Sequence, residues 1–406
     1  MKSLVVMKFG GSSVANPEKI KRVADRVIEK KKSGYKVVVV VSAMGDTTDQ
    51  LINLAKDITV APYDREMDML MSSGEQISMA LLSMSIQEKG HDAISLTGPQ
   101  AEIITDNSHR KARITDIKAT RVKDELTRGR IVIVAGFQGI SSNHEVTTLG
   151  RGGSDTTAVA LTFVLKADMC EILTDVPGVF TADPRIVPKA RKLDEICFEE
   201  MLELASMGAK VLHSRAVELA SKYGVVLKVG LAHKDVPGTI IKREDSSMEH
   251  VLVRGIAHNL DEVKFTVHRV PDKPGIAAAI FSKLSEKGVN VDMIIQNISE
   301  EGYTDISFTV PSEDIEKTSS IGNIIKAETG AERISFDDNI AKISVVGVGM
   351  RSHTGVATKV FKVLAEKKIN IIMISTSEIK ISIIISKECA EEAVRALHDE
   401  FELEKV

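Results

Sequence analysis

Residues 5–13 read VVMKFGGSS, from Val5 to Ser13, and join a short apolar strand to two glycines and two hydroxyl side chains. Lys8 lies near the end of the strand, and a helix is expected to begin around Asn16 and Pro17. Glycines let backbone amides approach an anion, and a helix N-terminus adds favourable partial charge. The stretch therefore predicts a phosphate-binding turn in which Lys8 acts as a point charge. Its spacing matches neither the Walker A nor the dinucleotide-binding motif, and an ordinary turn also fits it.

The composition limits the class of protein. The chain has 406 residues, enough for two or three domains, and its net charge of −4 argues against a nucleic-acid partner. Cys170, Cys197 and Cys389 are far apart and follow no metal-binding spacing, so we expect free thiols in a reducing compartment. No segment is typical of a signal peptide, and no run approaches the roughly 20 apolar residues of a membrane span. We expect a soluble, cytoplasmic protein without a membrane partner.

Apolar strands alternate with helices through the first half of the chain. β-Branched runs that do not alternate with polar residues predict strands at Val37–Val41, Ala93–Leu96, Ile131–Ala135, Glu171–Leu173 and Val225–Val229. Helical patterns between them include Ile20–Lys32 and Gly74–Lys89. This alternation predicts an α/β sandwich whose ligands bind beyond the carboxyl ends of the strands.

Two polar segments accompany these elements. The loop Ser42-Ala43-Met44-Gly45-Asp46-Thr47-Thr48-Asp49 follows a predicted strand and opens a helix. Ser72-Ser73-Gly74-Glu75 is expected to precede the next helix, with a carboxylate near its first turn. Helix capping explains both segments as well as ligand binding does.

Two further loops combine glycines with charge. Arg151 lies among three glycines in the segment Leu149–Thr157, before an apolar helix expected over Ala158–Leu165. Its guanidinium would hold a carboxylate or phosphate through two parallel hydrogen bonds. The loop Thr174–Arg185 carries an aromatic ring, two acids and an arginine, which suit a nucleoside and a phosphate or an ordinary surface loop. Two anion sites on one sheet imply two anionic ligands, or one anionic ligand facing another.

Four segments together resemble the aspartate kinase family of the amino-acid kinase superfamily. They are Lys8-Phe9-Gly10-Gly11-Ser12-Ser13-Val14, Gly150-Arg151-Gly152-Gly153-Ser154-Asp155, Thr174-Asp175 through Asp183-Pro184-Arg185, and Gly208-Ala209-Lys210-Val211-Leu212-His213. Ser12 stands where the family often has threonine, and Phe180 where it often has tyrosine. The resemblance covers essentially the whole chain. It implies a three-layer αβα sandwich of the amino-acid kinase type over residues 1–245, then two α+β ferredoxin-like ACT modules over 246–336 and 337–406.

The resemblance implies ATP-dependent phosphorylation of the β-carboxylate of L-aspartate, giving 4-phospho-L-aspartate and ADP. Mg²⁺ would be carried by ATP, with no direct protein ligand. The family role is the first step of lysine, threonine and methionine biosynthesis through the diaminopimelate pathway, with feedback inhibition by lysine, threonine or both. A carboxylate with an ordinary pKa near 4 is ionised at neutral pH and needs no general base. Catalysis would then rest on positioning and charge neutralisation.

The resemblance also assigns residues to roles. The catalytic residues would be Lys8, Asp155 and Lys210. ATP would contact Lys8, Phe9, Gly10, Gly11, Ser12, Thr174, Asp175, Phe180, Asp183, Arg185 and Lys210. Aspartate would contact Ser42, Thr47, Glu75, Arg151, Gly153 and Ser154, with Arg151 on its α-carboxylate and Glu75 on its amino group. Gly10, Gly11 and Gly153 would donate backbone amides, and Asp155 would orient the lysines or a magnesium-bound water.

An internal repeat marks the second half. Gly275 and Gly355, Phe281 and Phe361, and Asn290 and Asn370 are each 80 positions apart. The pattern of each unit predicts a strand, a glycine-containing turn, an amphipathic helix and a second strand. A further apolar strand follows, at Asp305–Val310 in the first unit and at Ile379–Ile385 in the second. The strand Leu252–Ala257 is expected to belong to the second module, which leaves the first inserted within it.

The repeated modules are either purely structural or bind an effector, and the resemblance to ACT domains favours an effector. On the first module the site would comprise Asp272, Gly275, Ile276, Ala277, Asn290, Asp292, Gln296 and Asn297. A second module, of another subunit, would add Asn370, Ile371, Ser375 and Thr376. Such a site requires a homo-oligomer, a dimer or a tetramer, and a separate short subunit of two ACT modules stays open.

Three alternatives compete with an aspartate kinase. The first is another amino-acid kinase, acting on acetylglutamate, glutamate or a nucleotide, and the repeated modules argue against it. The second is a bifunctional enzyme with a homoserine dehydrogenase, which the end of the chain at Val406 disfavours. The third is an amino-acid sensor with an inactive kinase half. The intact set of charged residues argues against a sensor, namely Lys8, Glu75, Arg151, Asp155 and Lys210.

Overall fold

The computed structural model describes residues 3–206, 211–244, 252–297 and 302–405. They form two compact units, with residues 3–180, 192–206 and 211–244 in the first and 181–191, 252–297 and 302–405 in the second. In chain order, the elements of the first unit are β1 (Leu4–Phe9), α1 (Pro17–Lys32), β2 (Lys36–Val41), α2 (Thr47–Ile58), α3 (Asp64–Glu88), β3 (Ala93–Leu96), β4 (Ile103–Thr105), β5 (Ile114–Ile117), α4 (Thr120–Thr127), β6 (Ile131–Ala135), β7 (Gln138–Ser141), β8 (Val146–Thr148), α5 (Gly153–Leu165), β9 (Met169–Thr174), β10 (Glu195–Cys197), α6 (Phe198–Ser206), α7 (Ser214–Tyr223), β11 (Leu227–Leu231) and β12 (Thr239–Lys242).

The second unit continues the series. Its elements are β13 (Gly255–Asn259), β14 (Glu262–Pro271), α8 (Ile276–Glu286), β15 (Ile294–Gln296), β16 (Tyr303–Pro311), α9 (Ile315–Ser320), α10 (Gly322–Thr329), β17 (Arg333–Asp337), β18 (Ile340–Val346), α11 (Val356–Glu366), β19 (Met373–Thr376), β20 (Lys380–Ser386) and α12 (Ala390–Glu400). None of the described helices is both long and apolar enough to cross a membrane.

One eight-stranded sheet forms the core of the first unit, in the order β10-β12-β11-β9-β1-β2-β6-β3. Its strand pairs are parallel except β11 with β12. On one face, Met7 of β1 packs in a cluster with Val23 of α1 and Leu82 of α3. The neighbouring residues Val6 and Val38 are also fully buried, on the face that α5 covers. Because side chains alternate across a strand, helices must cover both faces, which confirms the predicted sandwich.

The predicted strands and helices are mostly confirmed, with three shifts. The strand expected from Val225 begins at Leu227, because the Val225 amide still donates to Ala220 O (2.9 Å) at the end of α7. The helix expected from Gly74 begins ten residues earlier, so Ser72–Glu75 lies inside α3 and does not precede it. The helix expected from Ala158 begins at Gly153, directly after Gly152 in the left-handed conformation.

A smaller four-stranded sheet, in the order β5-β4-β7-β8, also belongs to the first unit. The turn between β4 and β5 returns to β8, where the Ala112 amide donates to Thr148 O (3.0 Å). The Thr105 and Thr147 hydroxyls lie 2.6 Å apart across the same sheet. The sheet thereby places residues 106–112 beside the loop that leaves β8.

The second unit contains two antiparallel sheets, β15-β16-β14-β17 and β13-β18-β20-β19. In each module the first long strand leads to a glycine in the left-handed region, Gly275 at φ 99° and Gly355 at φ 95°, which caps the following helix. The strand expected at Leu252–Ala257 is β13, which begins three residues later, at Gly255. It pairs with β18 as expected, so the chain enters the sheet of the second module before it builds the first.

The two modules contact each other through equivalent positions of the repeat. Met293 and Met373 lie in one small apolar cluster. Beside it, Lys342 of β18 donates to the Glu262 carboxylate of β14 at 2.9 Å and also contacts Asp292. Both Lys342 and Glu262 are almost fully buried, with 2% and 5% of their side chains exposed. Burial alone would lower the pKa of Lys342, but the two carboxylates outweigh it and hold that pKa above its ordinary value.

Residues 181–191 lie in the second unit, although residues 181–185 belong to the predicted nucleotide loop Thr174–Arg185. Ala182 and Val187 join the core of the second module. The Thr181 hydroxyl lies 3.0 Å from His398 Nε2, and Thr181 O accepts a hydrogen bond from Ile256 N at 2.8 Å. The loop Thr174–Arg185 is therefore divided between the two units.

Candidate active site

The predicted phosphate turn lies at the carboxyl ends of β1 and β2. A side chain on Gly11 would place its Cβ 2.8 Å from Ala43 O and 3.0 Å from Gly45 O, so only glycine fits there. The Gly45 amide donates to Gly11 O (3.0 Å) and fixes the two loops together. Asn16 caps α1 by accepting from the Lys19 amide, which confirms the predicted helix start.

Three amides of this region were expected to donate to ligands, and two of them are already engaged. The Gly10 amide donates to Leu173 O at 3.3 Å, and the Gly153 amide donates to Gly150 O at 3.0 Å. The amides of Gly11 and Ser12 make no such bond with the described part of the chain. Among the described residues, the amides of Gly11 and Ser12 are therefore the donors of this turn without a backbone partner, and a ligand contact of the Gly10 and Gly153 amides stays a prediction.

Lys8 and Asp155 form the central ion pair of the site. Lys8 Nζ lies 2.5 Å from Asp155 Oδ1, and only 12% and 10% of the two side chains are exposed. Asp155 belongs to the first turn of α5, where the helix dipole favours a carboxylate. A Cβ on Gly10 would lie 3.6 Å from Lys8 Nζ, so the ammonium group is next to the phosphate turn. The pair therefore places a cation beside the predicted phosphate turn, where it would stabilise the charge of a phosphoryl group during transfer.

Glu75 is buried in the middle of α3, with 3% of its surface exposed. Its Oε1 accepts from the Ala43 amide at 3.1 Å, whereas its Oε2 has no partner among the described residues. Burial raises the pKa of Glu75 to about 8. Gly74 permits this placement, because a Cβ there would lie 2.8 Å from Ala43 Cβ. A buried carboxylate oxygen without a donor favours a ligand that brings one.

The glycine-rich loop that bears Arg151 lies next to this site. Gly150 and Gly152 adopt φ values of 77° and 70°, which turn the chain into α5. Ser154 lies against Gly136, where an added Cβ would come within 2.7 Å of the Ser154 hydroxyl. The Arg151 side chain is exposed to solvent.

Other predicted substrate residues are partly engaged by the protein. The Thr47 hydroxyl donates to Met44 O at 2.6 Å in the first turn of α2. Ser42 O accepts from the Ser78 hydroxyl at 2.7 Å, and this contact ties the loop to α3. Both residues lie on the loop that packs on Gly11.

The predicted nucleotide residues are spread over three places. Phe9, Gly10 and Ser12 belong to the turn after β1, and Thr174 ends β9, where its hydroxyl lies 3.0 Å from Asp175 Oδ1. Phe180 forms an isolated bridge with Lys192. Asp183 and Arg185 lie in the second unit and bind each other, with Nη2 and Oδ2 2.6 Å apart. Hydrogen bonds from Arg185 hold the pKa of Asp183 below its ordinary value. Lys210 lies outside the described residues.

Two charged residues near the site were not predicted from the sequence. Asp68 of α3 is fully buried, and Arg215 is partly buried in the first turn of α7, with its guanidinium against two backbone carbonyls. Neither lies in a glycine-rich or loop motif, so only their positions in the fold reveal them. The described residues contain no group of three or more His, Cys, Asp or Glu side chains placed to hold a metal ion.

The predicted effector residues of the first module lie at the turn into α8 and around β15. Asp272 and Gly275 belong to the turn, Ile276 and Ala277 begin α8, Asn290 and Asp292 precede β15, Gln296 ends β15, and Asn297 follows it. In the second module Asn370 and Ile371 precede β19, which contains Ser375 and Thr376. The acids differ, since Asp272 is exposed at the turn whereas Asp292 binds Lys342.

The comparisons with known proteins agree with this arrangement. Residues 3–230 match the model of the amino acid kinase family, and residues 266–330 and 343–401 each match an ACT domain model. An aspartokinase of Pseudomonas aeruginosa PAO1 is 52% identical over 404 residues, covering 99% of this chain and 98% of the relative. Aspartokinase 2 of Bacillus subtilis 168 is 51% identical over 402 residues, with the same coverage. The chain belongs to the aspartate kinase family.

Solved aspartate kinases share the fold. Escherichia coli aspartokinase III in complex with aspartate and ADP, in the R-state, has a TM-score of 0.82 at 27% identity, covering 98% of this chain and 99% of that one. The complex of the same enzyme with lysine and aspartate, in the T-state, has a TM-score of 0.77 at 27% identity and equal coverage. This aspartate kinase therefore has an amino-acid kinase domain followed by two ACT domains.

Proposed function

We propose that the enzyme transfers the γ-phosphoryl group of ATP to the β-carboxylate of L-aspartate and forms 4-phospho-L-aspartate. The observation that carries the proposal is Glu75, a buried acid of α3 that accepts a hydrogen bond from the loop packed against the phosphate turn and has one carboxylate oxygen without a partner among the described residues. An α-amino acid supplies the missing donor through its ammonium group. Arg151, exposed on the adjacent loop, would bind the α-carboxylate, which leaves the β-carboxylate to face the phosphate.

The other proposed contacts follow the elements that carry them. Lys8 stabilises the transferring phosphoryl group, and Asp155 orients Lys8 through their 2.5 Å ion pair. Lys210 would add a second cation. ATP binds the turn after β1 and the loop after β9, through Phe9, Gly10, Gly11, Ser12, Thr174, Asp175 and Phe180. The nucleotide contacts of Asp183 and Arg185 stay predictions from the sequence. Aspartate binds Ser42, Thr47, Glu75, Arg151, Gly153 and Ser154.

Mg²⁺ would enter this site bound to ATP, without direct ligands from the protein. The donors present fit that role, because Asp155 is a carboxylate next to the phosphate turn and can accept from a magnesium-bound water. Bound in this way, the ion would neutralise phosphate charge. The carboxylates of the protein would only orient its water ligands.

We propose that lysine, threonine or both inhibit the enzyme through the ACT modules, in the first step of lysine, threonine and methionine biosynthesis. E. coli aspartokinase III forms a complex with lysine and aspartate, which supports an amino-acid effector for this family member. Asp272 is the exposed acid suited to the effector's ammonium group, whereas Asp292 is bound to Lys342 and shapes the loop before β15. The second half of the site would come from another subunit, which requires a homo-oligomer. The proposed domains remain 1–245, 246–336 and 337–406, with residues 181–191 attached to the last.

Acyl-phosphate formation tests the proposal. The enzyme is incubated with Mg-ATP and aspartate, and the product is trapped with hydroxylamine as a hydroxamate. Hydroxamate that forms only with aspartate and decreases with lysine or threonine is the expected result. Hydroxamate formation with glutamate or acetylglutamate in place of aspartate would contradict the substrate, and insensitivity to both effectors would contradict the regulation.

A further inference from the structure

Arg215 connects two backbone segments that are distant in sequence. Its Nη1 donates to Leu149 O at 2.6 Å, and its Nη2 donates to Ala112 O at 2.8 Å. The guanidinium is planar and presents its donors in a fixed fork, so it holds both carbonyls in one geometry. The Leu149 carbonyl belongs to the start of the loop that bears Arg151.

Asp68 holds the same region from the other side. Its carboxylate is fully buried and accepts from the Arg110 amide at 3.0 and 3.1 Å and from the Thr148 hydroxyl at 2.5 Å. His109 Nδ1 completes the set at 2.7 Å. Removing the charge of a buried carboxylate would leave several of these donors poorly satisfied.

These contacts reach the Arg151 loop through packing. A Cβ on Gly150 would lie 3.0 Å from Arg110 O, so the backbone that Asp68 binds lies directly against the residue before Arg151. Asp68 also precedes Glu75 by seven residues on α3, so both are on one face of one helix. Helix α3 therefore carries Glu75, the proposed partner of the substrate ammonium group. It also carries Asp68, which holds the loop that bears Arg151, the proposed partner of the substrate α-carboxylate.

We propose that Arg215 and Asp68 are positioning residues for aspartate, which hold the Arg151 loop at a fixed separation from Glu75. Neither residue touches the substrate in this proposal. The inference rests on the proposed roles of Arg151 and Glu75. It predicts that recognition of the α-carboxylate depends on two side chains outside the binding site, because a misplaced clamp loses the charge contact while the rest of the site persists.

The test compares two acceptors, L-aspartate and its α-amide, which keeps the β-carboxylate and lacks the α-carboxylate charge. The value of kcat/KM for L-aspartate divided by the value for its α-amide measures recognition of that charge. In Arg215→Lys and in Asp68→Asn the ratio should fall by about tenfold or more, while the KM for ATP stays within about twofold. Either variant alone suffices if the other fails to fold, because they act on the loop from different helices.

Glu125→Gln is the matched control. Glu125 is a buried acid that binds Arg130 at 2.8 Å near the amino end of β6, whereas the site lies at the carboxyl ends of the strands. It should change stability without changing the ratio. An unchanged ratio in Arg215→Lys and Asp68→Asn, or an equal loss for both acceptors, would overturn the inference.

Arg151→Met separates this inference from the proposed function. If Arg151→Met abolishes the preference for aspartate and the positioning variants do not, the inference fails and the role of Arg151 stands. If Arg151→Met keeps the preference, the proposed role of Arg151 fails and the inference falls with it.

Discussion

Single residues define this site through charges that are buried and only partly satisfied. Lys8 has one carboxylate partner beside the phosphate turn, and Glu75 has one oxygen bonded and one without a partner. The sequence predicted both residues from motif resemblance. It could not predict that burial raises the pKa of Glu75 to about 8, because that pKa depends on the packing of α3 against the Ala43 loop.

Lys8→Ala should lower turnover by about two to three orders of magnitude, because the transferring group loses its nearest cation. Hydroxamate formation at saturating substrates measures the effect. Lys19→Ala is the matched control, since Lys19 Nζ donates to Ser12 O of the same turn at 2.8 Å and forms no ion pair with a carboxylate of the described residues. Near-normal turnover in Lys8→Ala, or an equal loss in Lys19→Ala, would remove Lys8 from catalysis.

Glu75 should make aspartate binding dependent on pH. Below its pKa of about 8 the side chain is neutral in the free enzyme, and it must lose its proton to pair with an ammonium group. The KM for aspartate should therefore fall about tenfold per unit as the pH rises towards 8, and level off above it. Initial rates between pH 6 and 9 give this profile.

The variant Glu75→Gln serves as the comparison for the pH profile. It cannot ionise, so its KM for aspartate should be high and nearly independent of pH. A flat profile in the unmodified enzyme would show that Glu75 is not the ammonium partner.

The sequence predicted secondary-structure elements correctly where runs of buried apolar residues mark them. The strands Ala93–Leu96 and Ile131–Ala135 have the bounds expected from their apolar runs. The start of α3 was wrong because Ser72 and Ser73 resemble a helix cap, yet their hydroxyls donate to carbonyls of the preceding turn, at 3.0 and 2.7 Å. Gly74 is needed because Ala43 packs closely against the helix at this position, and not because the chain turns there. Tertiary packing of this kind leaves no local signal.

Gly74→Ala tests that packing. Alanine favours a helix by about 1 kcal/mol over glycine, but its Cβ would meet Ala43 at 2.8 Å, and overpacking costs about 1–3 kcal/mol. We expect a net loss of up to about 2 kcal/mol in urea unfolding and a KM for aspartate raised several-fold, since the Ala43 amide also donates to Glu75.

Gly322→Ala is the control for that variant. Gly322 also lies in a helix, and its nearest neighbour would be an ordinary 3.8 Å from the new Cβ. It should keep or gain stability. A Gly74→Ala enzyme that gains stability and keeps its KM would show that the approach of Ala43 is not needed.

The whole molecule combines a kinase unit with two ACT modules that arose as a repeat of one module. The duplication was visible in the sequence as a constant spacing, and the fold of each module followed from it. The partner of Lys342 was not visible, because β14 and β18 come together only when the two modules pack. Nor could the sequence show that residues 181–191 join the second module.

Lys342→Met should destabilise the packed modules by about 3–5 kcal/mol, because it leaves Glu262 and Asp292 without their shared cation. Thermal or urea unfolding of the full chain measures the loss. The exposed pair Lys362–Glu366 offers a control, and Lys362→Met should change stability by about 0.5 kcal/mol or less. Adding Glu262→Gln should restore part of the loss, and equal effects of Lys342→Met and Lys362→Met would contradict a buried ion pair.

Glu262 and Lys342 occupy the same position of the repeat, 80 residues apart, with opposite charges. Two copies of one module that met through these strands would bury two glutamates or two lysines together, which is strongly unfavourable. Only unlike modules bring the opposite charges together. The two modules therefore cannot replace each other at this contact. The opposite charges at the two equivalent positions are what distinguishes them.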